Sequence, residues 1–277
     1  MRLVRWFAVV AVLAMHVLLL SPVVGASEPR DAVPAPRMVV RPVSEELRKA
    51  LKLDPFYAKT AEYKGFPILA SDKVSDAALA EARYLIGMML ADRDDVIRAL
   101  VKANCRFVVM APTEMTTDVP EQRNMTPKDY WDKRARGLGG RVTSCGEENL
   151  LNLRGDRYPR ENILIHEFGH CIHQYGLRTA EPKFEARLRA TYARAIERGL
   201  WKDTYAATNA SEYFAEGVQS YFDCNSPPNA GVHNDINTRE KLAKYDPDLF
   251  ELIDDVFRKS PYRYVRYDKR GKSPTAR

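Results

Sequence analysis

Two histidines four residues apart stand out as the pattern best suited to chemistry in this sequence. His166 and His170 enclose Glu167, Phe168 and Gly169. Residues four apart on a helix lie one turn above each other, so both imidazoles can reach one metal ion. A glutamate between them faces the attacking water. The pattern predicts a zinc site held by His166 and His170, with Glu167 as general base.

A helix predicted over about 161–175 presents this pattern. Pro159 precedes it and Gly176 follows it, as is typical of the two ends of a helix. Two surface histidines on an ordinary helix are the alternative. The apolar residues around the motif argue against it, since they would bury the rest of the helix; they are Ile163, Leu164, Ile165, Phe168 and Ile172.

A catalytic zinc normally takes three protein ligands. The metzincin pattern fails, because it requires a glycine at His173 and a third histidine at Gly176. His173 lies about 10 Å along the helix from His166, at about 1.5 Å per residue, too far to share that metal. We expect it to be a helix-surface residue or one that supports the ligands.

Glu212 is the better third ligand, because it opens a second predicted helix, 42 residues after His170. Glu216, one turn later, could then accept a hydrogen bond from a ligand imidazole. An acidic cap at the helix N-terminus is the alternative role for Glu212. If Glu212 is not the ligand, the next choices are Glu216, Asp223 and His233.

Residues 163–221 resemble the catalytic domain of anthrax toxin lethal factor and related secreted gluzincins. The shared pattern is HEFGH at 166–170, then Tyr205, then Asn209, then Glu-aromatic-Phe-Ala-Glu at 212–216. The resemblance implies that Tyr205 stabilises the oxyanion or protonates the leaving amine. It covers about a fifth of the chain, and the N-terminal half shows nothing of the toxin's delivery domains. Toxicity and the toxin's substrate therefore do not carry over.

The N-terminus has the pattern of a secretory signal. Arg2 and Arg5 precede an apolar run over 6–20, and small residues end at Ala26. We expect residues 1–26 to be a signal peptide, and the mature protein to begin at Ser27. The prediction is a secreted, periplasmic or cell-envelope protein that meets the membrane only through this segment. An uncleaved anchor is the alternative, although the run is shorter than the about 20 residues of a typical span.

Charge argues against nucleic acid as the partner. The formal net charge of +6 falls to +4 when Arg2 and Arg5 are removed. A basic tail at 262–277, which we expect to be solvated, carries +5 of formal charge, so the body is nearly neutral. The predicted partner is a peptide or protein substrate, and the sequence does not indicate an oligomeric state.

The four cysteines give no second metal site. Cys105, Cys145, Cys171 and Cys224 contain no CxxC pair. In an exported chain they permit two disulfides, and their spacing does not choose among the three connectivities. Cys171 could equally be a small buried residue on the inner side of the active helix.

The order of elements predicts an α+β fold. We expect an extended leader at 27–43 and one zincin-like metallopeptidase domain at 44–261, with a small N-terminal mixed sheet and a helical C-terminal half. Predicted strands lie at 66–70 and 105–110, with a glycine-rich break at 137–140 and an extended stretch at 141–153. Helices are expected at about 44–53, 76–91, 94–103, 127–134, 161–175, 181–198, 211–223, 238–243 and 247–259.

These features predict a secreted zinc metallopeptidase. Residues 143–153 are the candidate edge strand for pairing with a peptide, unless Glu147, Glu148 and Asn149 form a solvated loop. Two alternatives remain: a zinc-stabilised binding module of the cell envelope, which would need neither Glu167 nor Tyr205, and a hydrolase of a non-peptide amide, which would use the same residues.

Overall fold

A computed structural model describes residues 40–229 and 232–270 of the 277-residue chain. The predicted signal peptide lies outside these residues, as does most of the leader. Within the described ranges, none of the helices has both the length and the apolar character needed to cross a bilayer.

The described strands form one mixed sheet of six, in the order β1-β2-β3-β4-β6-β5. Pairs β3–β4 and β4–β6 are parallel, whereas β1–β2, β2–β3 and β5–β6 are antiparallel. The strands are β1 (Arg41–Pro42), β2 (Lys59–Tyr63), β3 (Phe66–Ala70), β4 (Arg106–Met110), β5 (Gly137–Leu138) and β6 (Val142–Gly146).

Helices α1 to α5 lie in the N-terminal half, and the second half of the described chain is mainly helical, as predicted. The helices are α1 (Glu45–Leu51), α2 (Asp76–Met89), α3 (Asp94–Lys102), α4 (Lys128–Arg134), α5 (Glu147–Leu150), α6 (Ile163–Cys171), α7 (Arg178–Ala180), α8 (Phe184–Glu197), α9 (Ala210–Tyr221), α10 (Arg239–Tyr245) and α11 (Pro247–Val256).

Helix α6 packs between the sheet and α9, and its Phe168 contacts two aromatic side chains of the sheet. The Phe168 ring lies 5.4 Å from that of Phe66 and 6.3 Å from that of Phe107, measured between centroids. The Asn162 side chain caps the helix by accepting from the backbone of Ile165 at 2.9 Å. This packing fixes the motif helix on both faces.

Gly176 does not end the motif helix as predicted. The helix widens into a π-helical segment, Ile172–Leu177, and then continues into α7. A Cβ atom at Gly176 would lie 2.6 Å from Cγ1 of Val96. The glycine therefore serves close packing against α3.

The predicted substrate strand at 143–153 is wrong. Strand β6 lies inside the sheet, between β4 and β5, and residues Glu147–Leu150 form a helical turn. The edge strand on this side of the sheet is β5, whose two residues belong to the stretch expected to be a glycine-rich break. Pairing with β6 stabilises this strand, and local sequence does not report that contact.

Residues on both sides of the predicted domain, 44–261, also pack against it. Residues 41–42, assigned to the leader, pair with β2. Residues 262–270, expected to be solvated, lie on the body: the Tyr264 backbone N–H donates to Phe222 at 2.8 Å, and Arg270 pairs with the buried Glu81. Aromatic residues between the basic ones explain this packing.

All four cysteines are buried free thiols. Cys105 lies just before β4, and Cys171 lies at the end of α6. Neither of the two disulfides that the sequence permits is present.

Candidate metal centre

The structure brings His166, His170 and Glu212 together from two helices. The distance from His166 Nε2 to His170 Nε2 is 3.3 Å, and Glu212 Oε2 lies 3.2 Å from each. Both histidines are buried and Glu212 is partly buried. Asn209 caps α9 and accepts from the Glu212 backbone at 3.0 Å, which places the carboxylate in the first turn, facing α6.

The spacing of these three atoms fits a tetrahedral zinc ion. Ligand atoms bound to zinc at about 2.0–2.1 Å lie roughly 3.3–3.4 Å apart in a tetrahedron. The three measured separations are 3.2 to 3.3 Å. Two imidazole nitrogens and one carboxylate oxygen also form a donor set that zinc prefers. The described residues therefore include a group of three side chains that could hold a zinc ion.

Hydrogen bonds to the other ring nitrogens orient both imidazoles. Nδ1 of His166 lies 2.8 Å from Oε1 of Gln219, and Nδ1 of His170 lies 2.9 Å from Oγ of Ser211. Gln219 Oε1 can only accept, so His166 carries a proton on Nδ1, and a metal would bind at Nε2. We did not predict either supporting residue from the sequence.

Glu216 does not have the predicted role. Its Oε1 lies 3.7 Å from His166 Nδ1, too far for a hydrogen bond. Its Oε2 instead binds Nδ1 of His233 at 3.1 Å and the Asn225 amide at 3.0 Å. Two of the alternative ligands, Glu216 and His233, thus pair with each other.

The electrostatics of the centre favour a cation. Burial lowers the pKa of His166, but the carboxylates of Glu212, Glu167 and Glu216 outweigh it and raise that pKa to about 10. Burial raises the pKa of Glu212, whereas the two imidazoles hold it well below its ordinary value. His166, His170 and Glu212 therefore favour a positive charge between them, and a bound divalent cation would provide that charge.

Glu167 lines a cleft of about 340 Å³ next to the histidines. Burial raises the pKa of its carboxyl, and the nearby imidazoles of His166 and His170 oppose this shift only in part. A Cβ atom at Gly137 would lie 3.0 Å from Glu167 Cγ. The edge strand thus runs directly beside this glutamate.

Tyr205 lines the same cleft and stacks on a metal-site imidazole. Its ring centroid lies 6.4 Å from that of His166, with 27° between the planes. Burial and the charge of Glu212 raise the pKa of the phenol. The hydroxyl is therefore protonated near neutral pH and can donate a hydrogen bond into the cleft.

His173 lies apart from the three ligands. It is buried between the rings of Phe184 and Phe214, and its Nε2 lies 2.8 Å from Oε2 of Glu185. His173 therefore packs against α8 and α9 and is not a helix-surface residue.

No protein-family model matches this chain, and no curated protein matches it. Among solved structures, the chain is similar to the Pro-Pro endopeptidase from Paenibacillus alvei, with 16% identity and a TM-score of 0.46. The similarity covers 68% of this chain and 96% of the other. Similarity at this level assigns neither activity nor residues, and the resemblance to lethal factor stays a prediction from sequence motifs.

Proposed function

We propose that this chain is a zinc-dependent hydrolase that cleaves peptide bonds. The observation that carries the proposal is the group of three ligand atoms 3.2 to 3.3 Å apart, beside a cleft that Glu167 and Tyr205 both line. A structural metal site needs neither a general base nor a phenol beside it, whereas the proposed hydrolysis uses both.

His166, His170 and Glu212 would hold the zinc. A bound zinc ion supplies Lewis acidity, which makes water nucleophilic near neutral pH and polarises a carbonyl. Glu167 accepts the proton of the attacking water and passes it to the leaving amine. The Tyr205 hydroxyl donates a hydrogen bond to the developing oxyanion.

The edge strand supports a peptide as the substrate. Strand β5 pairs only with β6 in the described sheet, and Gly137 lines the cleft beside Glu167. An extended peptide can add to such an edge through main-chain hydrogen bonds. This replaces the segment 143–153 as the proposed substrate strand.

A peptide library tests the proposal. The zinc-loaded protein should cleave peptides, a chelator should stop cleavage, and added zinc should restore it. Glu167→Gln should keep zinc and fold while turnover falls by at least about 10²-fold. Glu197→Gln, the same change at an exposed position on α8, is the matched control and should retain full activity.

Three outcomes would contradict the proposal. Cleavage that resists chelation would exclude zinc, and unchanged turnover in Glu167→Gln would exclude the base. If no peptide is cut, assays on acylated sugars and cell-wall amides decide between the non-peptide hydrolase and the binding module.

We also propose export, which rests on the sequence of residues 1–26. Mass spectrometry of the protein from its native source should find Ser27 at the N-terminus. An intact Met1 in the membrane fraction would indicate an uncleaved anchor.

A further inference from the structure

Arg134 lies on the wall of the proposed catalytic cleft, at the last residue of α4. Its backbone carbonyl accepts a hydrogen bond from the Tyr158 hydroxyl, which fixes the end of the helix. Its side chain is exposed and lies near the Tyr205 phenol, which raises the pKa of the guanidinium. The arginine therefore stays charged beside a proposed catalytic group.

No carboxylate neutralises Arg134 within the described part of the chain. None of the ion pairs there includes it, and the groups around the guanidinium are the phenols of Tyr205, Tyr130 and Tyr158. The other arginine of the cleft, Arg136, is buried and makes two bonds to Glu148, at 2.5 and 2.8 Å. Arg134 thus differs from its neighbour in having an open guanidinium.

The acidic groups of the cleft are engaged elsewhere. Glu216 contacts His233 and Asn225, and Glu161 accepts from Gln219 at 3.2 Å. Neither glutamate pairs with Arg134, so the Arg134 wall carries an unbalanced positive charge. Tyr158, which also lines the cleft, adds an aromatic surface to that wall.

We propose that Arg134 binds a carboxylate of the substrate and makes the enzyme selective for acidic peptides. The inference rests on the proposed function, because it names the substrate of the same site. A guanidinium matches a carboxylate in a two-bond geometry, and Arg134 has no carboxylate partner in the described chain. The carboxylate is either an Asp or Glu side chain near the cut or the C-terminus of the peptide.

Matched peptides separate these two sources. One pair differs only by Glu or Gln beside the scissile bond, and a second differs only by a free or amidated C-terminus. In one of the two peptide pairs, we expect kcat/KM to be about 10-fold or more higher for the acidic peptide, because a hydrogen-bonded arginine–carboxylate contact stabilises its complex with the enzyme. In Arg134→Gln the ratio should fall to about one, mainly through KM. Arg154→Gln, at an exposed site outside the cleft, should keep the wild-type ratio.

Each other result overturns the inference. It is wrong if wild-type protein cuts both members of each pair equally, or if Arg134→Gln keeps the preference. If Arg134→Gln lowers kcat equally for acidic and neutral peptides, the arginine positions Tyr205 instead of binding substrate.

A binding measurement separates failure of this inference from failure of the proposed function. Fluorescence anisotropy of the same peptides with zinc-loaded Glu167→Gln needs no turnover. If acidic peptides bind more tightly and the preference disappears in Glu167→Gln/Arg134→Gln, the subsite exists even without detectable cleavage. Equal binding of acidic and neutral peptides contradicts the subsite.

Discussion

Gln219 Oε1 lies 2.8 Å from Nδ1 of His166 and links the two helices that form the metal centre. The same amide donates through Nε2 to the carbonyl of Asn162, the cap of α6, at 3.2 Å. One buried side chain therefore fixes both the tautomer of a ligand and the start of the helix that carries it.

Replacing Gln219 with methionine should weaken zinc binding. Met has a similar volume but lacks the amide, so His166 loses the acceptor that holds its proton on Nδ1. The expected loss in affinity is about 10- to 100-fold, measured by competition with a chromogenic chelator. Glu161→Gln, which keeps Gln219 Oε1 in place, is the control and should have a smaller effect. Equal affinity in wild type and Gln219→Met would show that this contact does not tune the site.

Removing Glu212 should abolish tight zinc binding. Purified wild-type protein should hold close to one zinc per molecule, and Glu212→Ala should hold far less, because two ligands leave the tetrahedral set incomplete. His233→Gln and Asp223→Asn should retain the metal, since neither residue belongs to the three-atom group. Metal analysis of the dialysed variants decides this. Wild-type zinc content in Glu212→Ala would mean that another residue is the third ligand.

Local periodicity explains which parts of the site could be predicted. His166, Glu167 and His170 could be predicted as site residues because their spacing places them within about one helical turn. Glu212 could be predicted because it lies at the start of a second helix. Gln219 and Ser211 were missed because a glutamine and a serine are common on helices. Gln219 does lie seven residues after Glu212, on the same face of α9, and that spacing was the available signal.

The elements missed in the fold depend on contacts between distant segments. Strands β3 and β4 are buried and rich in apolar residues, so their sequence alone indicates them. Strand β5 is a Gly-Leu pair and β1 is an Arg-Pro pair, and neither has strand propensity of its own. Each becomes a strand through its partner, β6 or β2.

Two glycines allow the edge strand to approach the motif helix closely. A Cβ atom at Gly137 would lie 2.4 Å from Cγ2 of Ile163, and one at Gly139 would lie 2.6 Å from Cβ of His170. We expect Gly137→Ala to push the strand away from Glu167 and to lower kcat/KM by about 10-fold or more, as small misplacements at a catalytic centre do. Zinc content should change little, because the atoms nearest to a Cβ atom at Gly137 belong to Ile163, Ser144 and Glu167 and not to the three proposed ligands.

Gly169→Ala is the matched control, although it lies inside the motif. Its nearest neighbour would be the Cα atom of Ala215 at 3.7 Å, an ordinary contact. Alanine in a helix is more stable than glycine by roughly 0.5–1 kcal/mol, so this variant should be active and at least as stable. Kinetics and thermal unfolding measure both variants. Full activity of Gly137→Ala, or greater damage in Gly169→Ala, would show that activity does not depend on the close approach at Gly137.

Stability should depend on pH through Glu81, a side chain 3% exposed on α2. Burial raises its pKa to about 7 from the ordinary 4.5, although Arg270 opposes the shift. The folded state binds this proton more tightly than the unfolded state. The contribution to the free energy of unfolding is therefore complete below pH 4.5 and is lost as pH rises through 7. A shift of this size corresponds to roughly 3 kcal/mol.

Glu81→Gln should remove that dependence, because the amide fills the same space and does not ionise. Relative to wild type, the variant should gain stability as pH rises from about 4.5 to 8, by up to roughly 3 kcal/mol in urea unfolding of the zinc-free proteins. Taking the difference cancels titration at His166 and Glu212, which both proteins share. Glu197→Gln, at an exposed position, should parallel wild type throughout. A constant difference between Glu81→Gln and wild type across this range would show that Glu81 has a similar pKa in the folded and unfolded states.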